Sequence, residues 1–276
     1  MSTAIKTDTP TPAGPSGARQ ALRRITTMVV PWATLIGIWY LIKFSGLVES
    51  QLLPTPAAVL SQFWVSLTTE RLWVDMMLST RRVALGLLFG MMLAVPVGFL
   101  VGWYRPVRRF VDPLINFFRA LPPIALIPLV IVYLGIGEVA RVSILFYASF
   151  FAAVIVMYEG MAQISPVYIR VSRTLGATDA EIFFNVMVPL TVPHMLTALR
   201  VALGVSWATL VASELVAAQN GLGARIQTAS NFFNLEVIYM GIICIGAIAL
   251  LMDMLLRAVS RRMLAWQDRL NEGAEA

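Results

Sequence analysis

Charge, cysteine, histidine and lysine are all scarce in this chain. Only 13% of its 276 residues are charged and 58% are hydrophobic, whereas ordinary soluble domains carry about 25% charged residues. With a mean hydropathy of +0.78, the composition is that of an integral membrane protein. Cys244 is the only cysteine, so no intrachain disulfide can form. With His194 the only histidine, no His/Cys metal cluster can be assembled within one chain. Cys244 reads as a small packing residue within an apolar run, and His194, beside Pro193, as a structural residue. Neither G-x-S-x-G nor H-E-x-x-H occurs, which removes the commonest hydrolase signatures. The two lysines, Lys6 and Lys43, each follow isoleucine, so the Gly-Lys pair that a P-loop needs is absent. If ATP drives any work here, a separate subunit must hydrolyse it.

What remains is long apolar runs. A membrane helix needs about 20 mainly apolar residues, and six candidates meet this: Ile25–Ile42, Val83–Tyr104, Ala120–Gly137, Val142–Tyr158, Met195–Ala218 and Val237–Met252. Pro122, Pro123 and Pro128 make the third a candidate for a broken or re-entrant span. The all-α organisation expected is a disordered tail at 1–24, a first span at 25–44, an external loop at 45–82, a core at 83–258 and a tail at 259–276. Arg23 and Arg24 precede the first run as in an export signal, but its length and the lack of an A-x-A site mark a retained span. With the N-terminus inside, 15 of the 21 lysines and arginines fall on the cytoplasmic side, so the positive-inside rule places both termini in the cytoplasm. The net charge of +6 follows from this bias and does not call for nucleic acid. We see neither an inverted repeat nor a soluble domain.

Two polar features interrupt the apolar pattern. The first runs from Arg170 to Pro189 and lies on the cytoplasmic side by the same rule. Gly176 can end one helix, Thr178 and Glu181 form a T-x-x-E capping box for the next, and Pro189 interrupts that helix. Taken alone, the stretch reads equally as a surface for another protein and as an ordinary helix connection. The second is Arg200 and Glu214 within the fifth candidate span, about 21 Å apart along one helix. Between them lie Ser206, Trp207, Thr209 and Ser213 among small residues, a pattern that suits close packing or a polar path, with packing favoured for most. Arg200 is expected to snorkel, and Glu214 to lie near the hydrated outer face. In the external loop, Thr55-Pro56 reads as a helix cap, and Val59, Leu60, Phe63, Trp64 and Leu67 give a surface helix. Arg81 and Arg82 close that loop, either attracting an anionic solute or pairing with headgroups or Asp75.

Gly176, nine residues, then Val186-Met187-Val188-Pro189 resembles the E-A-A-x3-G-x9-I-x-L-P loop of permease subunits of bacterial ABC importers. Arg170-Val171-Ser172 replace the E-A-A triad, so the turn geometry is what carries over. L-P-P-I-A-L-I-P-L-V-I-V-Y-L-G-I-G-E (Leu121 to Glu138), R-V-A-L-G-V-S-W-A-T-L-V-A-S-E-L-V-A-A (Arg200 to Ala218) and N-G-L-G (Asn220 to Gly223) resemble the taurine, alkanesulfonate and nitrate branch, nearest its taurine permeases. The resemblance implies a type I permease-like fold in the bacterial inner membrane, a second copy of this chain, two ABC ATPase subunits holding ATP and magnesium, and an extracytoplasmic binding protein. No cofactor is implied in this chain. The loop at 159–194 would couple to the ATPase through Gly176, Ala177, Thr178, Asp179, Glu181, Phe184 and Pro189. Ser206, Trp207, Thr209, Ser213 and Glu214 are the candidate substrate path. The solute implied is small and anionic, taurine or another alkanesulfonate ahead of nitrate or another small organic molecule. The rivals are a stand-alone secondary transporter and, further off, a membrane enzyme.

Overall fold

A computed structural model describes residues 17–49, 52–217 and 219–264. The chain divides into two units, 1–60 and 61–276. The first holds α1 (Gly17–Phe44) and the start of α2 (Pro56–Thr68). Thr55 caps α2, its hydroxyl accepting the Ala58 amide at 3.1 Å, and the Trp39 indole N–H donates to the Pro54 carbonyl at 3.1 Å. Residues 17–24, expected to be disordered, belong to α1, while the rest of that tail and residues 265–276 lie outside the described residues.

The second unit continues with α3 (Leu72–Trp103), α4 (Arg105–Ala120), α5 (Pro123–Leu134), α6 (Glu138–Ala162), α7 (Pro166–Thr174), α8 (Asp179–Ile182), a π-turn (Phe183–Met187), α9 (Val188–Ala217), α10 (Leu222–Asn231) and α11 (Leu235–Met263). Among the described residues four helical runs are long and apolar enough to cross a membrane: α3, α6, the run from α8 into α9, and α11. The pair α4 and α5, bent by 92°, makes a fifth if it is counted as one broken span. The apolar part of α1, Val29–Phe44, is shorter than those spans. Among the described residues the candidate spans thus number four to five, beside about six expected. The bend falls at Leu121-Pro122-Pro123, where each proline lacks an amide and restricts the residue before it. The Phe118 carbonyl near the end of α4 accepts both the Leu121 amide and the Tyr147 hydroxyl.

The centre of this unit is the contact between α3 and α6, built on glycine. Gly86, Gly90, Gly98 and Gly102 share one face of α3 in two G-x-x-x-G patterns. A Cβ at these positions would meet Leu145, Ser149, Met157 and Met161 of α6 at 2.3, 1.9, 2.5 and 2.5 Å. Each pair is separated by 59 residues, so the helices run parallel and the bent α4–α5 pair must carry the chain back. α9 packs antiparallel on α6, with a Cβ at Gly160 meeting the His194 ring at 2.4 Å. Cys244 is buried in α11, as its place in an apolar run suggested.

The same substitution should act differently at Gly86 of this contact and at Gly246 of α11. Gly86→Ala should destabilise by about 1–3 kcal/mol, because its Cβ overlaps a neighbouring backbone. Gly246→Ala, with nothing within 4 Å of its added Cβ, should be neutral or stabilising by up to about 1 kcal/mol. Thermal unfolding of the two variants in detergent measures the contrast, and equal shifts would contradict the glycine contact.

Candidate functional site

Two constellations stand at opposite ends of the long run through α9. At its start, Ser165 caps α7, and α7 ends in a Schellman motif: the Gly176 amide donates to Arg173 and the Ala177 amide to Ser172, both at 3.0 Å. Gly176 sits at φ +85°, a conformation that side chains with a Cβ disfavour. The capping box is complete, with the Thr178 amide donating to the Glu181 carboxylate at 2.8 Å and the Glu181 amide to the Thr178 hydroxyl at 3.3 Å. Arg173 pairs with Asp179 at 3.0 Å. Ile182 is fully buried beside Met161 and Met187, and Phe183 packs edge-on against Phe99 and Trp103. Leu175 and Phe184 remain 82% and 67% exposed.

The capped helix is not the separate short helix expected from Pro189. It passes through the π-turn into α9 as one run, Asp179–Leu215. The Val188 amide reaches back five residues to the Phe183 carbonyl. This local widening accommodates Pro189, whose ring would otherwise crowd a carbonyl one turn earlier. Pro189 thus falls in the first turn of α9, where a missing amide does least harm. The Thr191 hydroxyl takes the Met187 carbonyl at 2.6 Å.

At the far end, Arg82, Glu138 and Glu214 converge from α3, α6 and α9. Arg82 donates through Nη2 and Nε to the two oxygens of Glu138 at 2.6 and 2.9 Å, and through Nη1 to Glu214 at 2.5 Å. Arg141 joins Glu138 at 2.7 Å. Glu214 is fully buried and also accepts from the Ser79 hydroxyl at 2.8 Å and the Gly223 amide at 2.8 Å. The N-G-L-G turn is held by this cluster along its backbone. Its Asn220 carbonyl accepts from Arg82, its Gly221 amide donates to Asp75, and its Leu222 amide donates to Ser79. Gly221 has φ +121°, and a Cβ there would meet Glu214 and Arg82 at 2.5 and 2.6 Å, so only glycine fits. Asp75 and Glu70 in turn hold Arg225.

These positions correct several expectations. α3 starts at Leu72, ahead of the apolar run expected to open at Val83, and Arg82 lies inside the helix, buried against two carboxylates. Asp75 engages Arg225 rather than Arg81 or Arg82. Glu214 is buried and paired instead of hydrated. Arg200 meets Asp253 of α11 at 3.0 Å, an ion pair across helices in place of free snorkelling. Of the candidate path residues only Glu214 joins the cluster. Ser206, Trp207, Thr209 and Ser213 are 0%, 4%, 6% and 0% exposed within the packed unit. Two arginines balance two glutamates in the quartet, and among the described residues there is no metal-binding group of three or more His, Cys, Asp or Glu. The cluster is suited to holding helices together, and its paired charges leave no free nucleophile or base. Sequence reading missed Ser79, Glu138 and the N-G-L-G backbone as members. The available signal was three lone charges at run ends, Arg82 and Glu138 just before their apolar runs and Glu214 near the close of an antiparallel one.

A polytopic helical membrane protein with an exposed capped turn at one end and a closed ionic cluster at the other belongs to the architecture of transporter permeases. The chain is a member of the family of binding-protein-dependent transport system inner membrane components, which matches residues 86–265. It is 44% identical over 241 residues to a probable ABC transporter permease protein of Brucella abortus (strain 2308), covering 87% of this chain and 95% of the relative. It is 34% identical to the taurine transport system permease protein TauC of Escherichia coli (strain K12), covering 90% and 92%. Its fold is similar to a chain of the MetNI methionine ABC transporter in an inward facing form, with TM-score 0.62, 21% identity, and coverage of 70% of this chain and 95% of that one. The protein is therefore a multi-pass inner-membrane permease subunit of the taurine, sulfonate and nitrate branch of ABC importers, non-catalytic itself.

Removing one partner from the buried pair should be costly. Glu214→Met should destabilise by about 3–5 kcal/mol, because the quartet is left one negative charge short and Arg82, Ser79 and the Gly223 amide each lose an acceptor. The double variant Arg82→Met/Glu214→Met should recover most of that loss. Unfolding measured across the double-mutant cycle tests this, and simple additivity would refute the coupling between them.

Proposed function

We propose that this subunit carries a small anionic solute, with taurine or another alkanesulfonate favoured over nitrate, handed over by an extracytoplasmic binding protein. Two copies form the pathway, and two ABC ATPase subunits bind ATP with magnesium on the cytoplasmic side. Both termini and the 159–194 loop face the cytoplasm, in keeping with the excess of arginine on that side. The taurine relative supports the solute class.

The observation that carries the coupling role is the Gly176 turn. Its Schellman stop and capping box present an exposed face at Leu175 and Phe184, while Ile182 and Phe183 anchor it to α3 and α6. An exposed apolar face on a rigidly capped turn suits docking by a partner, and the continuous run into α9 gives docking forces a path to the far end. Gly176, Ala177, Thr178, Asp179, Glu181, Phe184 and Pro189 form this contact segment in our reading. Ser206, Trp207, Thr209, Ser213 and Glu214 act on transport through the packing of α9.

Gly176→Leu tests the reading cleanly, because nothing lies within 4 Å of an added Cβ and the strain is confined to the backbone. In proteoliposomes with the ATPase and the binding protein, this variant should lose solute-stimulated ATP hydrolysis and uptake by at least about tenfold, equivalent to about 1.4 kcal/mol. The chain should still insert normally. Undiminished uptake by Gly176→Leu would overturn the assignment, and uptake by the chain without any ATPase would favour a stand-alone carrier.

A further inference from the structure

Beside the capped turn is a cavity of about 420 Å³, bounded by the end of α3, the start of α4, the end of α6, α7 and Asp179. Three arginines line it, Arg105, Arg108 and Arg173, and Asp179 is the one carboxylate on its wall. Asp179 is already engaged by Arg173 at 3.0 Å. Arg108 lies over the Tyr158 ring, its guanidinium carbon 5.3 Å from the centroid, which orients the group without neutralising it. Neither Arg105 nor Arg108 has a salt-bridge partner among the described residues. The other acidic groups nearby, Asp112 and Glu159, do not line the cavity, and Asp112 accepts the Tyr158 hydroxyl at 2.7 Å. α4 starts at Arg105 with no side-chain cap, so its dipole adds positive potential at the rim, although Pro106 removes one of the first-turn N–H groups. Trp103, Met161, Ile169 and Met187 give the rest of the wall an apolar surface.

An excess of guanidinium over carboxylate in a small, partly apolar recess matches an oxyanion, since the fork of arginine N–H groups pairs with two oxygens at once. We propose that this cavity binds a sulfate, sulfonate or phosphate group, supplied either by a free solute or by the headgroup of an anionic lipid of the same leaflet. Arg173 is shared between that anion and Asp179 at the first turn of α8, so occupancy competes with the Arg173–Asp179 pair and alters the seating of the capped segment. The binding stands on the cavity alone. Its effect on ATP hydrolysis rests on the coupling role proposed above.

The test uses the full chain in phosphatidylcholine nanodiscs, with and without phosphatidylglycerol. Sulfate binding is read by calorimetry and lipid retention by native mass spectrometry. Arg105→Gln/Arg108→Gln should weaken the interaction at least about tenfold, as expected for loss of charge-assisted hydrogen bonds. Arg109→Gln, an exposed arginine of the same helix outside the cavity, should leave it unchanged. Sulfate binding lost in the double variant identifies a free oxyanion as the source. Retention of phosphatidylglycerol lost in that variant, with no response to sulfate, identifies a lipid headgroup. No binding of either probe, or equal loss in Arg109→Gln, overturns the proposal. Gly176→Leu should keep oxyanion binding even where it abolishes coupling, so failure of the coupling role is read separately from failure of the site.

Discussion

The close approach of α3 to α6 is the constraint on which the rest depends. Four glycines bring the two backbones together at positions where a single extra carbon would overlap the neighbour. In an apolar solvent the hydrophobic effect gives helices little reason to associate, so dense packing of small residues has to supply the attraction. The common separation of 59 residues fixes a parallel register along the whole contact. Arg82, well inside α3, then stands beside Glu138 at the start of α6, and Trp103 and Met161 meet near the other ends. Parallel neighbours also oblige the intervening chain to return across the same thickness. The α4–α5 pair does so with a right-angled bend at its prolines.

Once that register is set, the ionic cluster follows as a consequence. Four charges brought to one level would be prohibitive if unpaired. They are tolerable here because they cancel, and because Ser79 and the backbone of N-G-L-G fill the remaining hydrogen-bonding positions of Glu214. Replacing the whole set by apolar groups need not weaken the fold, whereas breaking it by one member leaves a stranded charge. What the ion pairs add is geometric. They link α3, α6 and α9 to the turn before α10, and they require glycine at Gly221 because its Cβ would occupy the same space as the carboxylate.

Much of this was legible in the sequence, and what was not is instructive. The Thr178–Glu181 box and the Gly176 stop are local devices, satisfied within a few residues, and they occur where the residue types placed them. The broken span at Pro122-Pro123 is also local. The start of α3 was misjudged because an arginine in an apolar run reads as a boundary, while its partners lie 56 and 132 residues away. Arg200 was misjudged for the same reason, since Asp253 is on another helix. Pro189 misled in the opposite direction: a π-turn one step before it absorbs the missing amide, and no residue pattern announces that widening. The two G-x-x-x-G patterns were readable but went unused, although they are the strongest pairing signal in the chain.

The capped segment, the π-turn and α9 form one helical run, and this changes what a push at Gly176 can do. In the proposed reading, a short coupling helix joined by a flexible loop would dissipate force in the loop. A helix continuous from Asp179 to Leu215 transmits axial displacement, and from Thr178 to Glu214 it covers about 54 Å at 1.5 Å per residue. The π-turn and Pro193, which has no N–H to donate, are places along that run where the bonding pattern departs from the α ladder, so bending is easiest in this part of the helix. Phe183, at the start of the turn, is wedged against Phe99 and Trp103 of α3. Motion of the segment must therefore either carry the end of α3 with it or slide past two aromatic edges. At the far end Glu214 is tied to Arg82 of that same α3. Both ends of the run are thus fastened to one helix, and α3 is held against α6 by glycine contacts that leave no slack. These linkages favour movement of α3, α6 and α9 as a body.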